Sequence, residues 1–180
     1  MKGVTQAKIK ALCERARQAS RELMKLTAGD KNRALLEIAA ALERRKDEVL
    51  RENRDDVEDG KAARLTGALM DRLILDEDRI RDMARSLRKI ASLPDPVGEV
   101  VDGYRLPNGL EVRKVRAPFG VVAVIYEARP NVTVDAAGLC LKAGNAVVLR
   151  SGSASLRSSR MLTEVINGAL IDAGLPRGSV

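Results

Sequence analysis

Two short apolar runs, separated by about the length of one helix, constrain the fold of this chain more than any other feature. Gly120 to Tyr126 and Ala146 to Leu149 are rich in β-branched residues and lack polar alternation, which is typical of strands covered on both faces of a parallel sheet. Gly144 and Asn145, which adopt a left-handed helix cap readily, precede the second run. The sequence therefore predicts a strand, helix, strand unit with a right-handed crossover.

The segment between the two runs opens with an Arg-Pro-Asn break at 129–131. Thr133 or Asp135 can then cap a short helix. Its apolar residues are Val134, Ala137, Leu139 and Leu141.

A further helix follows the second run, because apolar residues recur at helical spacing from Leu156 to Leu170 and Gly174 and Pro176 then stop the pattern. Gly152 and the serines beside it form the turn before this helix. In doubly wound sheets, a strand, a small-residue turn and a helix N-terminus hold a nucleotide, since unpaired backbone N–H groups face an anion there. No G-x-G-x-x-G motif is present, so a dinucleotide would be held by another arrangement.

The first 98 residues read mainly as amphipathic helices. Thr5 to Leu26 carries an apolar stripe of Ile9, Leu12, Ala16, Ala19, Leu23 and Leu26. Asp30 is predicted to cap the second helix and Asp76 a later one that ends before Pro94. The charged stretch 51–61 is less regular, and we expect a frayed helix and a loop there.

A hairpin is predicted between these helices and the first apolar run. Residues 99–106 and 110–116 are strand-like, and Pro107, Asn108 and Gly109 join them. Asn-Gly is the strongest short-range hairpin signal. A hairpin this polar would leave exposed edges, and a surface hairpin in a monomer is one interpretation of it.

Composition excludes several classes of function. The net charge of +7 is spread along the chain rather than concentrated, and only Tyr104, Phe119 and Tyr126 are aromatic, so a nucleic-acid partner is not expected. There is no apolar run long enough for a membrane span and no signal-peptide core. We therefore expect a cytoplasmic protein. With no histidine, a metal site is not expected either.

The two cysteines, Cys13 and Cys140, both fall in helical patterns. A disulfide is not expected. Cys140 lies between two leucines, so we predict a buried structural thiol of low reactivity, and we expect the same of Cys13.

Four segments carry a resemblance to a known family. They are Y-E-A-R-P-N-V-T-V-D-A at 126–136, L-K-A-G-N-A-V-V-L-R at 141–150, L-T-G-A-L-M-D-R-L-I-L at 65–75 and L-P-D-P-V-G at 93–98. On these motifs the chain resembles the gamma-glutamyl phosphate reductases, also called glutamate-5-semialdehyde dehydrogenases, of the aldehyde dehydrogenase superfamily. The likeness extends over essentially the whole chain.

The resemblance implies an aldehyde-dehydrogenase-like α/β fold made of N-terminal helices, the first part of a doubly wound parallel sheet and a β-hairpin arm. Residues 1–98 and 118–180 would belong to the cofactor-binding domain, and 99–117 would form an oligomerisation arm that adds to a partner subunit's sheet, giving a homodimer or tetramer. Such reductases are more than twice as long, with a catalytic cysteine downstream. We therefore expect this chain to be the amino-terminal portion of a longer protein and to be inactive alone.

The implied reaction is the NADPH-dependent reduction of L-glutamyl 5-phosphate to L-glutamate 5-semialdehyde in proline biosynthesis, through a thioester on that cysteine. Asn131 resembles the asparagine that donates its amide to the oxyanion; the alternative is that it caps the next helix. Arg129 suits a substrate carboxylate or acyl phosphate, with Glu127 beside it. A buried ion pair between Arg129 and Glu127 is the structural alternative.

Five residues after the second run are candidates for the cofactor. Arg150 resembles the position that reaches the adenosine ribose, and an arginine there suits the 2′-phosphate of NADP. Ser151, Gly152, Ser153 and Arg157 would complete this site. The alternatives are a solvated strand-end arginine and a helix-capping serine. Two alternatives remain for the function of the whole chain. It could be another acyl-reducing aldehyde dehydrogenase, which would act on an acyl-CoA, or a non-catalytic folding or binding module.

Overall fold

The structure is a computed structural model that describes residues 6–180. In chain order its elements are α1 (Gln6–Leu23), α2 (Ala28–Arg44), α3 (Lys46–Ala62), α4 (Gly67–Leu73), α5 (Glu77–Ser92), β1 (Val100–Arg105), β2 (Glu111–Val115), β3 (Val121–Ile125), α6 (Pro130–Lys142), β4 (Ala146–Arg150), a short 3-10 turn (Ser153–Ser155) and α7 (Leu156–Asp172).

The strand, helix, strand unit is present as predicted. β3 and β4 pair in parallel, with Val121 opposite Ala146 and Ile125 opposite Arg150. Asn145 fixes the start of the pair, because its side-chain oxygen accepts a hydrogen bond of 2.9 Å from the Gly120 amide. α6 links the two strands, so their carboxyl ends lie at one edge of the sheet.

The prediction that both strands are covered on both faces is wrong for β3. Ala146 and Val147 of β4 are buried, whereas Ile125 of β3 is 75% exposed. α1 and α6 both pack on β4, and β4 is the one strand that pairs with β3 in the described part of the chain. An unbroken apolar run thus reports the hydrophobicity of β3 but not the burial of its faces.

One hydrophobic core joins the helices to β4. It is built mainly from leucine, isoleucine, valine and alanine, as the scarcity of aromatics requires, with Met83 and Met161 added. α5 and α6 approach closely at Gly138, where a β-carbon would lie 2.7 Å from the Leu87 side chain. Helical residues before 98 and the unit after 118 share this core, and within residues 6–180 the 99–117 segment contributes nothing to it.

The stretch 51–61, predicted to be frayed, lies inside the regular helix α3. Its buried residues are Val49, Asn53, Asp56 and Gly60, a helical stripe that is mostly polar. Asn53 donates to the Leu73 carbonyl at 2.9 Å and accepts from the Leu75 amide at 2.8 Å. The prediction failed because it searched for apolar periodicity, and this helix buries side chains that form hydrogen bonds instead.

Two further details differ at the amino-terminal helices. Ile9 and Leu12 of the predicted α1 stripe are exposed, and Thr5, the predicted first residue, lies outside the described residues. α2 is capped by Thr27 rather than Asp30: the Thr27 hydroxyl accepts from the Asp30 amide at 3.2 Å and the Asp30 carboxylate accepts from the Thr27 amide at 3.2 Å. Asp30 is therefore the third helical residue of a capping box.

The predicted hairpin is confirmed. β1 and β2 pair antiparallel, with Gly103 opposite Arg113, and Gly109 has the positive φ of 88° that its turn requires. Side chains on both faces are largely exposed, including Val100, Tyr104 and Val115. Within residues 6–180, none of the helices is long and apolar enough to cross a bilayer.

Candidate active site

The carboxyl ends of β3 and β4 bring two loops into direct contact. The Tyr126 amide donates to the Arg150 carbonyl at 3.0 Å and so extends the strand pairing by one residue. A β-carbon on Gly152 would lie 3.2 Å from the Glu127 α-carbon, so only glycine lets the loops approach without displacing backbone. The candidate residues 127–131 and 150–153 therefore meet at one edge of the sheet.

α6 begins at Pro130, three residues before the predicted cap at Thr133, and Asp135 also lies inside the helix. Proline at the first helical position has its φ preset and lacks only an N–H that would have no helical partner. The break inferred from Arg-Pro-Asn is therefore a helix start. Thr133 is buried and shares a hydrogen bond of 2.6 Å with the Tyr126 hydroxyl, which fastens α6 to the end of β3.

Asn131 lies in the first turn of α6 with an exposed side chain. Its amide nitrogen donates to a carboxylate oxygen of Asp135 at 3.3 Å. Arg129 is the N-cap residue, and no side chain caps the helix. The alternative that Asn131 caps α6 is therefore wrong. A side-chain amide has two N–H groups, and the contact with Asp135 uses one of them.

Arg129, Asn131 and Asp135 line one crevice of about 360 Å³ between the start of α6 and the segment from α4 to α5. The other lining residues are Asp71, Arg72, Ile74, Leu75, Arg79, Asp82, Met83 and Ser86. The sequence predicts Asp135 only as a helix cap, and it assigns no functional role to these other lining residues. The signal that could have found Asp135 is its spacing of four residues from Asn131, which puts both on one helix face.

Ion pairs occupy part of the crevice wall. Arg79 binds the Asp71 carboxylate at 2.8 Å and the Ile74 carbonyl at 2.7 Å. Asp82 accepts from Arg85 at 2.8 Å. Within residues 6–180 the guanidinium groups of Arg72 and Arg129 form no ion pair.

Asp135 is half-buried, and burial raises the pKa of its carboxyl although the hydrogen bond from Asn131 opposes the shift. Desolvation disfavours the charged form of a carboxyl. A cationic ligand group in the crevice would reverse this effect.

Glu127 and Arg129 are both exposed and form no ion pair with each other, so the alternative of a buried pair is wrong. The two side chains diverge where the chain turns from β3 into α6, since the Arg129 amide bonds the Glu127 carbonyl at 2.7 Å. Arg129 remains on the crevice, whereas Glu127 does not line it.

Arg150 is exposed at the end of β4 and does not line the crevice that holds Arg129 and Asn131. Ser151 and Gly152 are half-buried, and Ser153 begins the 3-10 turn that leads into α7. The residues predicted for cofactor and for substrate thus lie at one edge of the sheet but in separate surfaces.

The expectation that backbone N–H groups at the start of α7 are unpaired is wrong. Buried Asp56 of α3 accepts from the Ser158 amide at 2.8 Å, from the Ser158 hydroxyl at 2.7 Å and from the Arg157 amide at 3.2 Å. The anion at this helix N-terminus is therefore a carboxylate of the protein itself. The Arg157 guanidinium binds Asp59 at 2.6 Å, and this hydrogen bond raises the pKa of Arg157.

The two cysteines differ in environment. Cys13 is exposed on α1, contrary to the prediction that it is buried, because the carboxyl-terminal half of α1 supplies most of its packing. Cys140 is half-buried on α6 rather than buried as predicted, and desolvation raises the pKa of its thiol. A thiol with a raised pKa carries less thiolate, so Cys140 is a poor nucleophile as predicted.

Known proteins resemble this chain over almost all of its length. A gamma-glutamyl phosphate reductase of Moorella thermoacetica is 54% identical over 167 residues, which are 93% of this chain and 40% of the relative. One of Syntrophomonas wolfei is 52% identical over the same shares. The chain therefore spans about two fifths of the length of the curated relatives it matches.

Solved structures of two gamma-glutamyl phosphate reductases superpose closely on this chain. The crystal structure of gamma-glutamyl phosphate reductase from Thermotoga maritima superposes with a TM-score of 0.91 at 39% identity, over 94% of this chain and 41% of that one. The enzyme from Saccharomyces cerevisiae gives 0.91 at 30% identity, over 99% and 46%. A propionaldehyde dehydrogenase from Rhodopseudomonas palustris with bound CoA gives 0.65 at 21% identity, over 95% and 36%, and shares the fold alone.

The predicted resemblance and the α/β, aldehyde-dehydrogenase-like fold are thereby confirmed. The aldehyde dehydrogenase family matches all of residues 1–180. Its members are oxidoreductases that use a nicotinamide cofactor. This chain belongs to the aldehyde dehydrogenase family.

Proposed function

We propose that this chain forms the cofactor-binding and substrate-positioning part of an enzyme that reduces L-glutamyl 5-phosphate to L-glutamate 5-semialdehyde with NADPH, releasing phosphate, in proline biosynthesis. The observation that carries the proposal is that Arg129 and Asn131 line the same crevice at the start of α6. The 54% identity to a gamma-glutamyl phosphate reductase supports the choice of substrate.

The chemistry begins with a thiolate that attacks the acyl carbon, and the carbon–oxygen bond to phosphate then breaks to leave a thioester. A nicotinamide cofactor held at the end of β4 by Arg150, Ser151, Gly152 and Ser153 would supply the hydride that converts such a thioester to the aldehyde and frees the thiolate. Neither Cys13 nor Cys140 suits the first step, as one lies on the α1 surface away from the crevice and the other has a raised pKa. We propose that the thiol lies outside these 180 residues, so the chain alone should not turn over.

Asn131 would donate its second amide N–H to the oxygen that becomes negative when the thiolate attacks. Removal of one such donor from an enzyme typically lowers kcat by about 10²–10³. Arg129 precedes Asn131 at the uncapped start of α6, where a guanidinium and the positive end of the helix dipole both favour the departing phosphate.

The residues at the end of β4 fit the phosphate-bearing cofactor that the proposal requires. Arg150 is exposed and, within residues 6–180, forms no ion pair, so its guanidinium can bind a 2′-phosphate. Ser151 and Ser153 add hydroxyl donors, and Gly152 lets their loop lie against Glu127. Arg157 would contribute only by leaving Asp59, which binds it at 2.6 Å.

Self-association through residues 99–117 completes the proposal. Within residues 6–180 the hairpin has two unpaired edges, and its apolar side chains at Val100, Tyr104 and Val115 are exposed. Edges of this kind are templates for pairing with another chain, so a homodimer or tetramer in which the hairpin adds to a partner's sheet would cover them.

The test is an assay of NADPH oxidation with L-glutamyl 5-phosphate, run on the polypeptide that includes the thiol. The proposal expects oxidation that depends on the acyl phosphate and yields one phosphate per NADPH. Arg150→Ala should weaken NADPH binding by at least about tenfold, as a lost ion pair to phosphate does, and leave NADH binding nearly unchanged. Equal losses for both cofactors would contradict the 2′-phosphate assignment, and oxidation with an acyl-CoA instead would contradict the substrate.

A further inference from the structure

Three polar residues follow one another along the start of α6 where it faces the crevice. Arg129 is the N-cap, Asn131 lies in the first turn, and Asp135 lies one turn later. Their order is a cation, a neutral amide and a half-buried carboxylate. L-Glutamyl 5-phosphate presents the complementary order along its own length: a phosphate, a carbonyl oxygen and an α-ammonium group.

The spacing also agrees. The Asn131 amide nitrogen and the Asp135 carboxylate lie 3.3 Å apart. In a glutamyl group five bonds separate the carbonyl oxygen from the ammonium nitrogen, and rotation about the three carbon–carbon bonds lets these atoms lie roughly 4–6 Å apart. Each can then lie about 2.9 Å from its own partner on the protein. A ligand lying across the two side chains can therefore place its carbonyl oxygen at Asn131 and its ammonium group at Asp135.

Asp135 is the carboxylate of this crevice that remains available. Asp71 is bound by Arg79 at 2.8 Å and Asp82 by Arg85 at 2.8 Å. From the residues that the structure describes, Asp135 receives only the 3.3 Å hydrogen bond from Asn131, on one of its two oxygens. Arg72, which also lines the crevice, forms no ion pair within residues 6–180. A crevice with available charges of both signs suits a zwitterion.

We propose that Asp135 binds the α-ammonium group of the substrate and thereby selects α-amino acyl phosphates over acyl phosphates that lack the amino group. This assignment rests on the proposed function, because it uses the carbonyl position at Asn131. Asp135 contacts substrate through its free oxygen and holds the Asn131 amide through the other.

The test compares two ligands and three proteins without requiring turnover. L-Glutamate and glutarate differ only by the α-amino group, and their binding to the polypeptide that includes the thiol is measured by NMR titration of the α6 amides. Unmodified protein should bind L-glutamate roughly tenfold more tightly than glutarate, as expected for a charge-assisted hydrogen bond. Asp135→Asn should reduce this ratio to about one. Asp82→Asn, which changes a carboxylate of the same crevice that Arg85 already binds, should keep it.

Equal binding of the two ligands by the unmodified chain, or a preference for L-glutamate that persists in Asp135→Asn, would overturn the assignment. Folding of the variant is read from the same spectra. The NADPH assay reports on the proposed function separately. If the unmodified enzyme reduces L-glutamyl 5-phosphate but the Asp135→Asn variant still prefers L-glutamate, only the role of Asp135 is refuted. The proposed function is then unaffected.

Discussion

At the scale of single residues, the candidate site could be predicted only in part. Arg129 and Asn131 were found from a motif, and the structure places both on one crevice. Asp135 was given the wrong local role, because Pro130 at the first helical position moves the helix start three residues earlier than a search for capping side chains indicates. Arg72 was missed because its proximity to α6 depends on packing between distant segments.

The pKa of Asp135 gives a prediction for stability. Since burial raises this pKa in the folded state, Asp135 contributes stability below its unfolded pKa of about 3.9, and that contribution is lost as pH rises through the folded value. Asp135→Asn has no such loss. The free energy of unfolding of Asp135→Asn relative to the unmodified chain should therefore increase between about pH 3 and pH 7.

The measurement is urea unfolding of both proteins across this range. Glu43, whose pKa is lowered by a hydrogen bond from Arg88, contributes the opposite trend, but it does so in both proteins and cancels in the difference. A difference that stays constant with pH would show that Asp135 is not desolvated. Asp82→Asn is the matched control, because it makes the same substitution at an exposed aspartate of the same crevice.

At the scale of elements, what could be predicted depended on whether the buried face was apolar. α2, α5 and the β1–β2 hairpin followed from apolar periodicity and an Asn-Gly turn. α3 did not, because Asn53 and Asp56 occupy its buried face. The partner of Asp56 is Ser158, 102 residues away in sequence, and no local pattern reports a contact of that separation. A helix N-terminus that looked open was therefore already capped.

Asp56 should be among the most destabilising positions to truncate in α3. Asp56→Ala removes the cap of α7 and leaves its first amides and the Ser158 hydroxyl without their acceptor, a loss of about 2–3 kcal/mol in the free energy of unfolding. Asp59→Ala, one turn along on the same helix and largely exposed, should cost less than about 0.5 kcal/mol. Urea denaturation measures both, and equal effects would contradict the capping role.

At the scale of the whole molecule, the core and the surfaces were predicted unequally. The sequence indicates how many apolar residues are available but not which strand lies at an edge. The prediction of burial is therefore correct for Ala146 and Val147 of β4, whereas Val148 and Leu149 are half-buried and β3 has no buried residue. The 99–117 hairpin lies outside the core in the described part of the chain, which is why its fold was predictable from local signals and its partner was not.

Self-association through this hairpin can be tested by charge substitution. Tyr104→Lys and Val115→Lys introduce charges at two exposed positions of the hairpin, where burial against a partner would cost several kcal/mol in the free energy of association. Sedimentation velocity should show the oligomer dissociating to monomers at concentrations where the unmodified protein stays associated. Leu139→Lys, at an exposed position of α6, should leave the mass unchanged. A mass unaffected by the hairpin charges would contradict the proposed arm.

The central claim is that the start of α6 presents Asn131 to the reacting carbonyl, and steady-state kinetics of Asn131→Ala test it most directly. In the thiol-containing polypeptide, kcat for NADPH oxidation with L-glutamyl 5-phosphate should fall about 10²–10³-fold, with a smaller change in KM. Asp82→Asn, in the same crevice, should keep kcat within about twofold of the unmodified enzyme. If kcat for Asn131→Ala also stays within about twofold of that of the unmodified enzyme, the account is contradicted.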